Sequence, residues 1–454
     1  MNNNRRPGFI DPSYGKKGLA EIPAQEPWNS DAYTLQVFPA ACAPDGSMAF
    51  YGYDPAPGPR PKHGLFTRLN ADGRWDSATG HVPVSTGQTG PLPEEVYDFT
   101  SMIHAVVDGE ASYLTASRVW YVDDPEHLYL HVAVGRYRAE DFKPAVGFGN
   151  DGITLPEPPR STRGDSKPTA IPKLLARINH QERELNAVDY RDTPKLGLVN
   201  GTIRVIFGGE HHSVDASKKH TWCALLDAKT GKPVNGLGPE GKDSQYKLSL
   251  KDNESTTLYQ AEFLSDGGFL LLSSTDEKMY LHRFLPNALP DKTFANGQGY
   301  IVLPDGGTNA GMAVKNDRIV ISRGGRILPL GQPTELYCYT LAGEKDNNFR
   351  CPSLSVEGHS LVLDHLSFDS QGRLVLAGQF YYLEEPWIVS KMQVVRLLST
   401  GELDVTFGND GYSPGNYYQV GSNGLHLDDQ GIRVLTLMPV GFGPFYEQMV
   451  KFYS

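Results

Sequence analysis

Three features of the sequence predict an all-β fold, a seven-bladed β-propeller of four-stranded antiparallel blades. A hairpin-rich phrase recurs seven times at a period of roughly 60 residues. Glycine (48) and proline (33) are spread along the whole chain, as suits many short strands joined by turns. A lone N-terminal strand phrase is left over to complete the last blade. At 454 residues, length alone suggests several domains, but repeat folds build long single units. The whole of 1–454 is therefore expected to be one propeller domain.

The first phrase is an apolar strand, a Gly turn, an Asp and an aromatic-Gly pair. It is clearest from Val394 through Leu397, Gly401, Asp404 and Phe407-Gly408 to Gly411. It returns at Phe66–Asp76 and at Leu281–Phe294. Weaker copies run through Arg136 to Phe148-Gly149, Leu225 to Leu237-Gly238, and Tyr337 to Phe349. The second phrase is an Asx-Gly type turn leading into a β-branched or apolar run: Asp45-Gly46, Asp108-Gly109, Asn200-Gly201, Asp266-Gly267, Gln371-Gly372 and Gln430-Gly431, with Asn316-Asp317 as a copy lacking glycine. Both phrases are hairpin grammar, because Asx and Gly supply the positive φ that tight turns demand. The repeat units fall near 8–73, 74–141, 142–231, 232–288, 289–343, 344–401 and 402–454. Residues 8–22 hold a final-strand phrase with no strand before it, and residues 447–454 a third-strand phrase with nothing after it. Pairing the two removes an exposed edge.

The run Arg68-Leu69-Asn70-Ala71-Asp72-Gly73 with Asp76, and the run Leu403-Asp404-Val405-Thr406-Phe407-Gly408-Asn409-Asp410-Gly411, resemble the delta-60 repeat of bacterial β-propellers. The resemblance covers nearly the whole chain. It is strongest around 8–73 and 371–411 and weaker where Thr79-Gly80 and Leu237-Gly238 replace Phe-Gly. It implies a structural repeat and carries no catalytic residue.

Bulk properties exclude several function classes. A net charge of −11 disfavours unspecific binding to nucleic acid or to an anionic membrane. The four cysteines Cys42, Cys223, Cys338 and Cys351 form no CxxC and no zinc spacing, and they suit thiols in a reducing compartment. No apolar run is long enough to span a membrane. Arg5-Arg6 is followed by no apolar signal region, so no cleaved signal peptide is expected. The location expected is cytoplasmic, or exported without a cleaved signal. No cofactor is expected.

The short turns should lie on one face and the long, variable connections on the other, where binding residues usually sit. Candidates on that long-loop face are Trp120, Tyr121, Tyr381, Tyr382, Trp387, Tyr417, Tyr418, Phe445 and Tyr446, whose rings suit sugar stacking or partner contact. An insertion at 154–189 carries Arg163 in an Arg-Gly-Asp tripeptide and a stretch, 171–188, that could form a short helix. His211, His212 and Asp215, in an expected loop, are weak metal candidates; adjacent residues of an extended chain point apart. Gly411–Gly415 matches G-x-S-x-G but lies within the repeat's own strand phrase, and the glycine-rich run Gly236–Asp243 lacks the Ser/Thr and the helix of a phosphate loop. Without catalytic grammar, enzymatic activity is not expected. The reading is a non-enzymatic scaffold recognising a protein partner through the long-loop face, with a lectin-like glycan module, or a hydrolase or lyase with acids in the central channel, as alternatives.

Overall fold

The computed structural model describes residues 6–7, 9–21, 36–53, 64–80, 82–83, 98–124, 127–156, 193–212, 217–251, 257–275, 278–304, 309–324, 329–350, 352–384, 387–414, 421–429, 431–439 and 445–454. It is all-β, with no helix among the described residues. Its sheets are the blades of a seven-bladed β-propeller, most of them four-stranded and antiparallel. The chain divides into two compact units, one of 1–55, 62–83 and 307–454, the other of 56–61 and 84–306.

The first unit holds four blades. One pairs β2 (Gln36–Cys42), β3 (Met48–Tyr53), β4 (Gly64–Leu69) and β5 (Val82–Pro83) in sequence order. Two show three strands each: β18 (Ala310–Lys315), β19 (Arg318–Arg323) and β20 (Glu335–Thr340), then β21 (Ser360–Phe368), β22 (Leu374–Glu384) and β23 (Trp387–Leu397). The last blade runs β24 (Gly421–Asp428), β25 (Gly431–Pro439) and β26 (Phe445–Phe452), and is completed by the N-terminal β1 (Leu19–Glu21). Leu19 pairs with Val450 and Glu21 with Gln448, so the leftover phrase closes the final blade as the sequence predicts.

The second unit holds three blades. They are β6 (Asp98–Val107), β7 (Glu110–Asp124), β8 (His127–Arg138) and β9 (Ile153–Thr154); β10 (Lys195–Val199), β11 (Thr202–His212), β12 (Ser217–Asp227) and β13 (Gln245–Lys247); and β14 (Thr257–Phe263), β15 (Phe269–Ser274), β16 (Met279–Phe284) and β17 (Tyr300–Leu303). The hairpins β7–β8 and β11–β12 are longer than a blade needs. Their ends pair with each other, His211 with Tyr129 and His212 with Leu128, and join two blades into one sheet.

The repeat's signature residues are its fasteners. In the sixth blade the Arg396 Nε donates to Asp404 Oδ2 at 2.8 Å with both side chains buried, and the guanidinium lies 4.6 Å from the Phe407 ring centroid. Arg68–Asp76 (2.6 Å) and Arg283–Asp291 (3.1 Å) repeat the pair eight residues apart. In the fifth blade Cys338 takes the arginine's place, and Arg318 reaches Asp346 from the neighbouring strand at 2.8 Å. In the last blade the pair joins the two chain ends, Lys451 to Asp11 at 3.5 Å. Backbone bonds from the residues after the buried Tyr14, Phe148, Leu237, Phe349 and Phe407 join neighbouring blades within each unit: Gly15 to Asp72, Gly149 to Thr230, Gly238 to Asn287, Arg350 to Thr400 and Gly408 to Pro7, all 2.7–2.9 Å. The tight turns behave as read: Asp108 and Asn200 sit at φ near 50° with Gly109 and Gly201 following at 81° and 74°.

The placement of the candidate residues needs correction. Trp120 and Tyr121 lie in β7, Tyr381 and Tyr382 in β22, Trp387 in β23, and Phe445 and Tyr446 in β26. His211 and His212 lie in β11. These positions are strand, not loop, because the hairpins extend well past the repeat's minimum and strand pairing absorbs them.

A candidate acid–base site on a strand bulge

The first strands of successive blades in the first unit, β18, β21, β24 and β2, lie side by side. In β21 the register with β22 slips: Leu363 pairs with Gly378 and His365 with Ala377, leaving Asp364 as an extra residue. Such a bulge re-aims side chains. On a regular strand Asp364 and His365 would point to opposite faces. Here the Asp364 Oδ1 lies 3.7 Å from His365 Nε2, with about a third of each side chain exposed (31% and 32%).

Two glycines make room for the bulge. A Cβ on Gly311 of β18 would lie 2.0 Å from the Asp364 carbonyl oxygen. A Cβ on Gly378 of β22 would lie 2.0 Å from the Val362 carbonyl oxygen. Bulges recur at the same place in β2, β6, β14 and β24, with Pro39, Thr100, Tyr259 and Asn423 as the extra residues. Of the five, only Asp364 is a carboxylic acid.

The surroundings tune the group. Burial pushes the Asp364 carboxyl above the usual aspartate range, and the nearby His365 and a backbone hydrogen bond offset only part of that. Tyr381 is close enough to feel the Asp364 charge; burial first, then that charge, pushes its phenol up to about 12. Its hydroxyl donates to Gln379 Oε1 at 3.0 Å. On β24, His426 is lowered to about 4 by burial and then by the charges of Arg433 and His365, so its ring is neutral at pH 7. Arg433 in turn is held by Asp428 at 2.8 Å. The result is a carboxyl whose pKa is raised by burial, beside one imidazole that in turn acts on a second, a combination suited to proton transfer.

Of the candidates whose side chains are described, Tyr381 joins this group and Tyr382 does not. Tyr382 points to the other face of β22, where it packs against Phe380 and His359. The side chains of Trp120, Tyr121, Trp387, Phe445, Tyr446, His211 and His212 are not described, and Tyr417, Tyr418, Arg163, Asp215 and the stretch 171–188 lie outside the described residues. Among the described residues no cluster of three or more metal-ligating side chains occurs. Ser413, in the G-x-S-x-G match, is buried and bonded to Val394 N (3.0 Å) and Gln393 Nε2 (3.1 Å), a structural role. Asp364, His365 and His426 belong to no sequence motif; the one signal they leave is an Asp-His pair interrupting the apolar run Ser360–Phe368.

No protein-family model matches this sequence, and no curated protein does. Several solved structures are similar to this chain at low TM-scores. An alpha-L-arabinofuranosidase from Fusarium graminearum is 9% identical, covering 96% of this chain and 97% of that one, with a TM-score of 0.39. The β-propeller domain of the Trilobed protease from Pyrococcus furiosus is 7% identical over 92% and 94%, with a TM-score of 0.40. An acylaminoacyl peptidase from Pyrococcus horikoshii is 8% identical over 92% of this chain and 52% of its own, with a TM-score of 0.40. The chain spans about half of that peptidase, and 38% of a prolyl oligopeptidase B from Galerina marginata. The sequence led to the expectation of a non-enzymatic, partner-binding scaffold; the similar solved structures named here are instead peptidases and a glycosidase. At such identities and TM-scores the likeness carries no argument about this chain's activity.

Proposed function

We propose that this chain is a hydrolase working by general acid–base catalysis, with Asp364 and His365 as its reacting pair. The observation that carries the reading is the bulge of β21, which turns two adjacent side chains toward each other and holds the acid where burial favours its protonated form. Asp364 gives its proton to the leaving-group oxygen or nitrogen. His365 accepts a proton from the attacking water, whose hydroxide adds to the other fragment. His426, neutral at pH 7, adds no charge of its own near the pair. A strand-borne pair locked by packing is better positioned than one on a loop.

A glycan is the substrate class favoured by one further feature. Tyr381 and Gln379 flank the acid on β22, and an aromatic ring with an adjacent amide is the usual means of stacking on and bonding to a sugar. We also infer a repeat of the delta-60 type, supported by the Arg–Asp pairs eight residues apart and the buried aromatic that follows them.

Purified protein assayed on panels of chromogenic glycosides, esters and peptide anilides tests the reading. Turnover is expected on one class, the glycosides first, with Asp364→Asn lowering kcat by about 10²–10⁴-fold and leaving the fold intact by circular dichroism. Full activity in that variant, or no turnover on any class, would overturn it.

A further inference from the structure

Among the described residues four arginines are buried: Arg136, Arg204, Arg396 and Arg433. Three have a carboxylate in reach, Arg136 from Glu110 (2.6 Å), Arg396 from Asp404 (2.8 Å) and Arg433 from Asp428 (2.8 Å). Arg204, 6% exposed on β11, has none. Its Nη2 donates to the Pro286 carbonyl oxygen at 2.8 Å, while its Nε and Nη1 have no partner among the described residues. Asp266 acts on the Arg204 charge without an ion pair to it and is engaged elsewhere: it accepts from Gly268 N at 2.7 Å and lies 3.4 Å from Arg283, with 55% of its side chain exposed. The neighbouring Cys223 is fully buried, and burial pushes its thiol up to about 12, so it carries no charge at pH 7.

Strand register explains the missing carboxylate. Asp428 pairs with Gly431 and His426 with Arg433; at the same register Val199 pairs with Thr202 and Gly197 with Arg204. Valine therefore stands where the last blade has Arg433's partner. A buried cation without a counter-charge is costly enough that proteins almost always pair it.

We infer that the blade of β10–β13, where it meets the blade of β14–β17, binds a halide-sized monovalent anion at the Nε and Nη1 of Arg204. One buried positive charge calls for one negative charge. The Phe269 ring, 5.5 Å from the guanidinium carbon, covers one face of the guanidinium and favours a small ion over a large oxyanion. The site lies in the second unit, apart from the residues of the acid–base pair, and does not depend on the hydrolase reading.

Thermal unfolding of the full chain at constant ionic strength tests it, with sodium gluconate replaced stepwise by sodium chloride, and separately by sodium phosphate. The midpoint is expected to rise by about 3 °C in chloride and to respond less to phosphate. Arg204→Met removes the chloride response. Val199→Asp, which copies the Asp428 arrangement, also removes it while keeping the arginine. No chloride response in the parent protein, the same response in both variants, or a response to phosphate alone would overturn the assignment.

Discussion

Replacing Asp404 by Asn tests how far the repeat's charged pairs hold the blades. The Arg396 and Asp404 side chains are 1% and 4% exposed and bond at 2.8 Å. Asp404 Oδ1 also accepts from Thr406 N (3.1 Å) and Thr406 Oγ1 (2.6 Å). Asparagine keeps the shape and can keep the Thr406 bonds, but it leaves Arg396 buried without a counter-charge. Breaking such a pair costs about 3–5 kcal/mol, read as a lower urea midpoint at an unchanged slope. The pH dependence carries a sign. Burial alone would raise the Asp404 carboxyl, but the Thr406 hydroxyl, the Arg396 charge and the Thr406 backbone together bring it below the usual value. A depressed folded pKa means the contribution is full above the unfolded value of about 3.9. It is lost as pH falls through the folded value. The gap between parent and variant should therefore be wide at pH 7 and close as pH falls below the usual aspartate range. A gap under about 1 kcal/mol at pH 7, or one that persists unchanged in acid, would refute the reasoning.

Gly311→Ala should distort the Asp364 bulge, since its Cβ would meet the Asp364 carbonyl oxygen at 2.0 Å; a loss of about 1–3 kcal/mol of stability is expected, with hydrolytic kcat falling further than stability explains. Glu262, on β14, is raised from 4.5 to about 7 by burial, only partly offset by its bond from Gln260. Its folded pKa exceeds the unfolded one, so stability should fall as pH rises between those values. Glu262→Gln should flatten the melting-temperature profile there and exceed the parent above pH 7; parallel profiles would contradict this. His282, buried among Tyr280, Phe284 and Tyr300, is lowered to about 4 by burial. Its depressed folded value means stability is lost as pH falls from 6.5 toward 4, a loss His282→Phe should abolish in acid melts.

Turn chemistry and repeat period made the blades legible, because Asx-Gly turns and the aromatic-Gly step have local causes: a positive φ at Asn200, a blade-to-blade bond at Gly408. The closing strand was legible for the same reason. Hairpin length was not. Tyr381 and Trp120 follow runs that look like strand ends, and only pairing across the hairpin shows that β22 and β7 continue through them. The bulge at Asp364 was invisible too. It depends on the missing Cβ atoms of Gly311 and Gly378, which lie far from it in sequence. Cys338 shows the same limit: the arginine absent from its own strand is supplied by Arg318 of the neighbouring β19.

The central claim is that burial holds the Asp364 carboxyl above the usual aspartate range. Carboxyl-carbon NMR titration of protein labelled at aspartate, with Asp364→Asn to assign the signal, measures this directly. Asp364 should titrate well above Asp404 and Asp76, both of which lie below the usual value. A signal that titrates together with those two, or at the ordinary aspartate value, would leave the strand bulge without an acid to deliver.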